Sequence, residues 1–298
     1  MKPSSKLTRR QFMKNAAFTS AASLLPAPLS LHAHNTPTPP NDPYPKEPDS
    51  QYSLQVDAGL AYFKKQAAIQ ISLVEKMIEA IRGRSLNKAR QAYINARPPY
   101  EEIEVLAASF PQTDSDIDAR PYAFEKGVTD EAFKGFHRVE MLIFGANDLE
   151  AAEPFAVELL ESCKTLQKDL ENRSAFSAKS TFEGLAALAN EVAAKKISSE
   201  EETWSDQSLL IFKHNWIAIH SQYEPFHSIV SKKNEKVAQG VMDAYKKAMA
   251  LIEPHFKKGV VAGTPYSKIG MAERYRIVQA STALRDALIE AADTLKLA

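Results

Sequence analysis

Beyond residue 50, apolar residues recur at three- and four-residue steps along most of the chain. Leu60, Phe63, Ala67, Val74, Ile78 and Ile81 make one stripe, the pattern of a helix with a single buried face. Gly83 predicts the stop of that helix and Ser85 the N-cap of the next. Continued along the chain, the pattern predicts eight helices, at about 54–82, 86–109, 129–145, 150–173, 177–196, 202–230, 234–258 and 268–296. No window shows the strict alternation of a half-buried strand. The expected fold is all-α, with two tandem up-and-down four-helix bundles at 51–174 and 175–298. A short echo between Tyr100-Glu101-Glu102-Ile103-Glu104 and Tyr223-Glu224-Pro225-Phe226-His227 is compatible with a repeat and equally with chance.

The first 50 residues read differently. Thr8-Arg9-Arg10-Gln11-Phe12-Met13-Lys14 is a twin-arginine pattern, and the apolar run Ala16 to Leu25 that follows is too short to span a bilayer. Residues 1–33 are therefore expected to be a signal peptide, and the mature protein periplasmic, exported by the twin-arginine route. Residues 34–50 hold Pro37, Pro39, Pro40, Pro43, Pro45 and Pro48 and predict an extended Pro-rich linker. No later stretch is apolar enough to cross a membrane, so the mature chain is not expected to be membrane-spanning.

Charge narrows the partners. The chain carries 37 basic and 37 acidic residues. Without the five basic residues of the leader, 32 face 37, a net charge of −5 that speaks against nucleic acid as a partner. Cys163 is the single cysteine, which excludes an internal disulfide and a thiolate metal cluster.

The chemistry concentrates between residues 97 and 140. Pro98 and Pro99 interrupt the second helix, because neither offers an amide and each ring crowds the preceding turn. Glu101 and Glu102 then stand in a restarted first turn, where carboxylates suit the helix dipole. The same break could instead aim Glu101 and Glu104 inward on one face. Residues 114–118, behind Phe110-Pro111, read as a polar loop in which Asp114 and Asp116 stay solvated. Gly135-Phe136-His137-Arg138-Val139-Glu140 puts an imidazole and a carboxylate three positions apart on one helical face, within reach of one ion. A helical histidine between Phe136 and Val139 is also an ordinary packed residue. An inverted zinc protease would need a second histidine at position 141, where this chain has Met141. His214, His220 and His227 lie among Trp216, Tyr223 and Phe226 and read as core or interface residues.

Four ordered blocks resemble the imelysin-like family, whose EfeO and EfeM members are periplasmic iron-uptake components. They are Ala96-Arg97-Pro98-Pro99-Tyr100-Glu101-Glu102-Ile103-Glu104, Ser109-Phe110-Pro111, Asp116-Ile117-Asp118-Ala119-Arg120 and Gly135-Phe136-His137-Arg138-Val139-Glu140. The linker runs straight into the first helix, so the layout resembles the shorter EfeM form without a cupredoxin domain. The resemblance implies paired four-helix bundles and a metal site of Glu101, Asp118, His137 and Glu140 on the first. Glu104 is implied as an extra or supporting ligand, and Arg120 as the partner that orients a carboxylate. That donor set suits iron, with zinc or manganese as alternatives, and its affinity is expected to weaken as pH falls. An inner-membrane iron permease and a periplasmic peroxidase are the implied partners. Where family members show Tyr-Ser-His-Thr-Asp-Leu, this chain has Trp204-Ser205-Asp206-Gln207-Ser208-Leu209, with Asp206 in place of the histidine. Two other functions stay open at this point: a metal-dependent peptidase, and a metal-independent module that binds polysaccharide or an envelope protein.

Overall fold

The stripe that begins at Leu60 winds into one 30-residue helix, α1 (Ser53–Arg82), and every member of the stripe is buried. The structure, a computed structural model, describes residues 51–197 and 201–297. The signal peptide and linker expected at 1–33 and 34–50 lie outside the described residues. Among the described residues there are ten α-helices and no strand, only one isolated bridge between Phe256 and Gly263. After α1 come α2 (Leu86–Ala96), α3 (Pro98–Glu101), α4 (Pro111–Asp118), α5 (Gly135–Glu140) and α6 (Leu149–Asp169). The remaining four are α7 (Ala178–Glu191), α8 (Ser208–Lys233), α9 (Glu235–Ile252) and α10 (Met271–Leu295). The all-α expectation holds.

Local chemistry sets several boundaries. The α6 N-cap is Asp148, whose side chain accepts from Ala151 N at 2.9 Å, and α7 opens on a capping box between Ser177 and Ser180. Gly83 does end α1, but the left-handed residue of that turn is Arg84 (φ 52°). Three expectations change. The helix expected over 86–109 is broken into α2, α3 and a 3-10 segment, Glu104–Ser109, because Pro98 and Pro99 remove two amides from the ladder. The polar loop expected at 114–118 is part of α4, which starts on Pro111 at its first turn. Asp114 is not solvated, since it accepts a hydrogen bond from the Tyr100 hydroxyl.

α1 packs on α2 and α6, and α5 lies along α6. α8 packs on α7 and α9, and α10 lies against α7 and α9. Between these groups α1 and α3 touch α8, while the 3-10 segment lies against α7. Buried apolar residues from Val56 to Leu295 form one continuous cluster. Residues such as Phe63, Met77, Ile81 and Leu159 are fully buried, and each such side chain contributes about 1.5–3 kcal/mol of burial free energy. Of the short elements, α3 touches α8, while α4 and α5 pack on α6 and on each other. Among the described residues no helix is long and apolar enough to cross a membrane.

Candidate metal centre

Gly135 starts the site. Its φ is +78°, and a Cβ there would lie 2.4 Å from the Ile117 carbonyl oxygen. Only glycine lets the start of α5 approach the end of α4 so closely. The approach sets His137, two residues on, beside Asp118, the last residue of α4. His137 Nε2 lies 3.5 Å from Asp118 Oδ1, and His137 Nδ1 lies 3.2 Å from Glu140 Oε2. All three side chains are at most 4% exposed. His137 Nε2 makes no hydrogen bond. Nδ1 is thus paired with Glu140, while Nε2, beside Asp118, is left unpaired.

Glu140 is fixed from far along the chain. Its Oε1 accepts the backbone N–H groups of Trp204 at 2.8 Å and Ser205 at 2.7 Å, which leaves Oε2 to face His137. The same turn carries Glu202, whose Oε2 accepts the Ser205 hydroxyl. One ligand atom each from His137, Glu140 and Glu202 lie within 4.8 Å of one another. All three residues are buried.

Arg97 ties this group to the rest. Its Nη1 lies 2.7 Å from Asp118 Oδ1 and its Nε 2.8 Å from Glu202 Oε1, while Nη2 pairs with Glu101. Its guanidinium also covers the Phe136 ring at 4.7 Å. Glu101 is thus joined to Asp118 through Arg97 and does not touch His137. It is fully buried, and Glu104 points the same way, so the helix break does aim both inward. Lys196 Nζ lies 2.7 Å from Glu104, 3.2 Å from Glu201 and 3.7 Å from Glu101. Arg120 pairs with Asp118 at 3.3 Å and with Glu201. All six residues implied by the resemblance sit in one buried network.

Six carboxylates (Glu101, Glu104, Asp118, Glu140, Glu201, Glu202) meet three permanent cations (Arg97, Arg120, Lys196), an excess of three formal negative charges. Burial pushes the Glu101 carboxyl well above its ordinary range. It does the same to Glu140, where Glu202 adds like-charge repulsion, and it raises Glu202 itself. Burial would raise Asp118 too, but Arg97 and Arg120 outweigh it and hold that carboxyl below the usual range. Burial pushes His137 well below the usual histidine value, so at neutral pH it is the neutral, ligating form. A deficit of positive charge, a neutral imidazole and an orphaned ring nitrogen fit a cation held by mixed nitrogen and oxygen donors.

Glu202, Glu201, Lys196 and Arg97 were not singled out as site residues from the sequence. The acidic run ending at Glu202 and the arginine ahead of Pro98-Pro99 were the only local signs of them. Asp206 lies outside this network and has another task. In the left-handed conformation (φ 62°), it accepts from Ser267 N at 2.8 Å and pins the 266–268 turn.

An all-helical scaffold with a buried, anion-rich histidine–carboxylate cluster where its helices meet defines the class. The chain belongs to the imelysin family, whose model matches residues 60–294. It is 30% identical over 237 residues to the iron uptake system component EfeO of Yersinia pseudotuberculosis, covering 79% of this chain and 62% of that protein. It is 29% identical over 242 residues to the protein of the same name from Escherichia coli strain K12, covering 81% of this chain and 64% of that one. The chain thus spans less than two thirds of the length of either relative.

Proposed function

We propose that this protein captures a metal ion, iron above zinc or manganese, as a periplasmic component of an iron-uptake system. The observation that carries this is the cluster of His137, Glu140 and Glu202, which brings three donors within reach of one ion in a buried site short of positive charge. Asp118 Oδ1 lies 3.5 Å from His137 Nε2, the ring nitrogen left without a hydrogen bond, and adds a further carboxylate oxygen beside it. Glu101 completes the negative field through Arg97. Two similar proteins named as iron uptake components support iron as the cargo. On this reading the halves 51–174 and 175–298 act as two bundles that close on the site. The twin-arginine leader delivers the folded chain to the periplasm, and an inner-membrane iron permease and a periplasmic peroxidase are its partners there.

The burial of the site weighs against the peptidase reading. His137 and Glu140 are at most 1% exposed, so a peptide carbonyl has no access to them in this conformation. Equilibrium dialysis with ferrous iron under reducing, anaerobic conditions tests the capture reading. The native protein should hold a stoichiometric ion, and His137→Ala with Glu140→Ala should lose it while keeping its helical circular dichroism. Undiminished binding by the double variant would remove this site from the proposal. For export, Arg9→Lys with Arg10→Lys should leave the chain in the cytoplasm, and normal export would reject the twin-arginine route.

A further inference from the structure

A cleft of about 650 Å³ opens beside the Pro98-Pro99 break, and the capture reading does not use it. On α1, Ile69 and Leu73 stand four residues apart and so present one flank of that helix to it. α8 brings Lys213 and His214. The loop between α9 and α10 brings Lys257, Lys258, Val260 and Val261. The base of that loop is fixed. Phe256 bridges to Gly263, where a Cβ would lie 2.8 Å from the Phe256 ring, and Gly263 N donates to Gln207 Oε1 at 2.8 Å. Lys213 Nζ sits 4.2 Å from the Phe256 ring centroid, so an ammonium and an aromatic face hold one corner together. The loop tip leaves apolar surface in water: Val260 and Val261 are exposed, as is Ile69 on the α1 wall.

Charge in the cleft is unbalanced. Lys213, Lys257 and Lys258 form no ion pair among the described residues. Glu102, the buried carboxylate of the lining, is already satisfied. Its Oε1 pairs with His214 Nδ1 at 2.6 Å, and its Oε2 accepts from Gln66 Nε2 at 2.7 Å and from the Tyr62 hydroxyl. The pairing also fixes the His214 ring within the lining. The other carboxylate, Glu253, is exposed, and three ammonium groups outnumber it. A cavity of this size, with apolar walls and a few fixed polar groups, has the usual form of a small-molecule site. Unpaired lysines beside exposed valines and an isoleucine complement a ligand with a negative head and an apolar body.

We propose that this cleft binds a small organic carboxylate with an apolar body. Lys213, Lys257 and Lys258 meet the carboxylate, and Ile69, Leu73, Val260 and Val261 cover the body. The site is separate from the metal centre. Glu102 follows Glu101 in the chain, but its oxygens turn to Tyr62, Gln66 and His214, outside the Arg97 network. Binding needs no metal and does not rest on the capture reading.

Isothermal titration calorimetry of the metal-free protein with naphthalene-2-carboxylate and with octanoate tests this. At least one of the two should bind once per chain, saturably, with an affinity that falls as salt is raised. Naphthalene-2-carboxamide and octanamide keep the body and lose the charge, and citrate keeps the charge and lacks the body; each should bind about tenfold more weakly or worse. Lys257→Glu with Lys258→Glu, both on the exposed loop, should weaken the carboxylate by about tenfold. Lys88→Glu with Lys246→Glu changes the net charge equally at exposed positions that do not line the cleft, and should not. Ile69→Asn should weaken binding without altering its salt dependence. His137→Ala with Glu140→Ala should leave carboxylate binding intact, so loss of metal alone would count against the capture reading and loss of carboxylate alone against this one. No saturable binding of either carboxylate, equal binding of the amides or of citrate, or an equal loss with the control lysine pair would overturn the proposal.

Discussion

The Oε1 atom of Glu140 accepts the backbone N–H of Trp204 at 2.8 Å, across 64 residues of chain. With the Ser205 amide at 2.7 Å on the same oxygen, it couples α5, which carries the His137–Glu140 pair, to the turn that carries Glu202. It has a steric condition. A Cβ at Gly145 would lie 2.8 Å from Trp204 Cδ1 and 3.1 Å from its Nε1, so the indole fits only over a glycine. Gly145→Ala should push the ring aside and cost about 1–3 kcal/mol, as overpacking does. It should also weaken both amide bonds to Glu140 and so weaken metal binding. Urea unfolding and an iron titration read the two effects. A variant with native stability and native affinity would show that the indole position is irrelevant to the site.

Gly135→Ala attacks the other end of α5. Its +78° φ disfavours a side chain, and the new Cβ would meet the Ile117 carbonyl at 2.4 Å. A substitution of this kind destabilises by more than about 1 kcal/mol, and the backbone can relieve it only by lifting α5 off α4. His137 should then leave Asp118. The expected result is a lowered unfolding midpoint together with weaker metal binding. Lowered stability with unchanged metal affinity would mean that the two helices position nothing in the site.

These glycines also mark what the sequence could reveal. The stripe from Leu60 to Ile81 needs only its own spacing to be read, and α1 spans Ser53–Arg82 where 54–82 was expected. The break at Pro98-Pro99 was equally local. Its consequence was not, because whether Glu101 faces water or protein depends on Arg97, Lys196 and Asn215, and the last two are about a hundred residues further along. α4 reads as a loop in the sequence because Gln112 to Asp116 offers no apolar period; Pro111 is its one helix-start signal. His137 and Glu140 declare themselves by a three-residue spacing. Glu202 has no such partner nearby, and only folding brings it to them.

Asp114 predicts a pH dependence. Burial pushes its carboxyl from the ordinary 3.8 up to about 7, with the Tyr100 hydroxyl bond pulling the other way. A group whose pKa is raised in the fold contributes its stability fully below the unfolded value. That contribution fades as pH rises through the folded value. The native protein should therefore lose stability relative to Asp114→Asn between about pH 4 and pH 7, by roughly 1–3 kcal/mol once partial solvent screening is allowed for. The amide keeps an oxygen for Tyr100, so the comparison isolates the charge. Urea midpoints of both proteins at several pH values check this, and parallel curves would show that Asp114 titrates normally in the fold.

Arg97 is the residue on which the network turns, since one guanidinium serves Asp118 at 2.7 Å, Glu202 at 2.8 Å and Glu101. Arg97→Met should leave three buried carboxylates short of their shared cation. Breaking a buried pair in this way costs about 3–5 kcal/mol, because the remaining charge has neither partner nor water. Arg97→Lys restores the charge but not the planar fork, and a point charge cannot face three acceptors in three directions, so it should recover only part of the loss. Metal separates the electrostatic cause from simple loss of packing over Phe136. If the deficit is one of positive charge, manganese or ferrous iron should raise the unfolding midpoint of Arg97→Met by more than it raises that of the native protein. Packing loss alone would leave the two shifts equal. Equal shifts, with a stability cost under about 1 kcal/mol, would mean that Arg97 is not what holds Asp118 ionised.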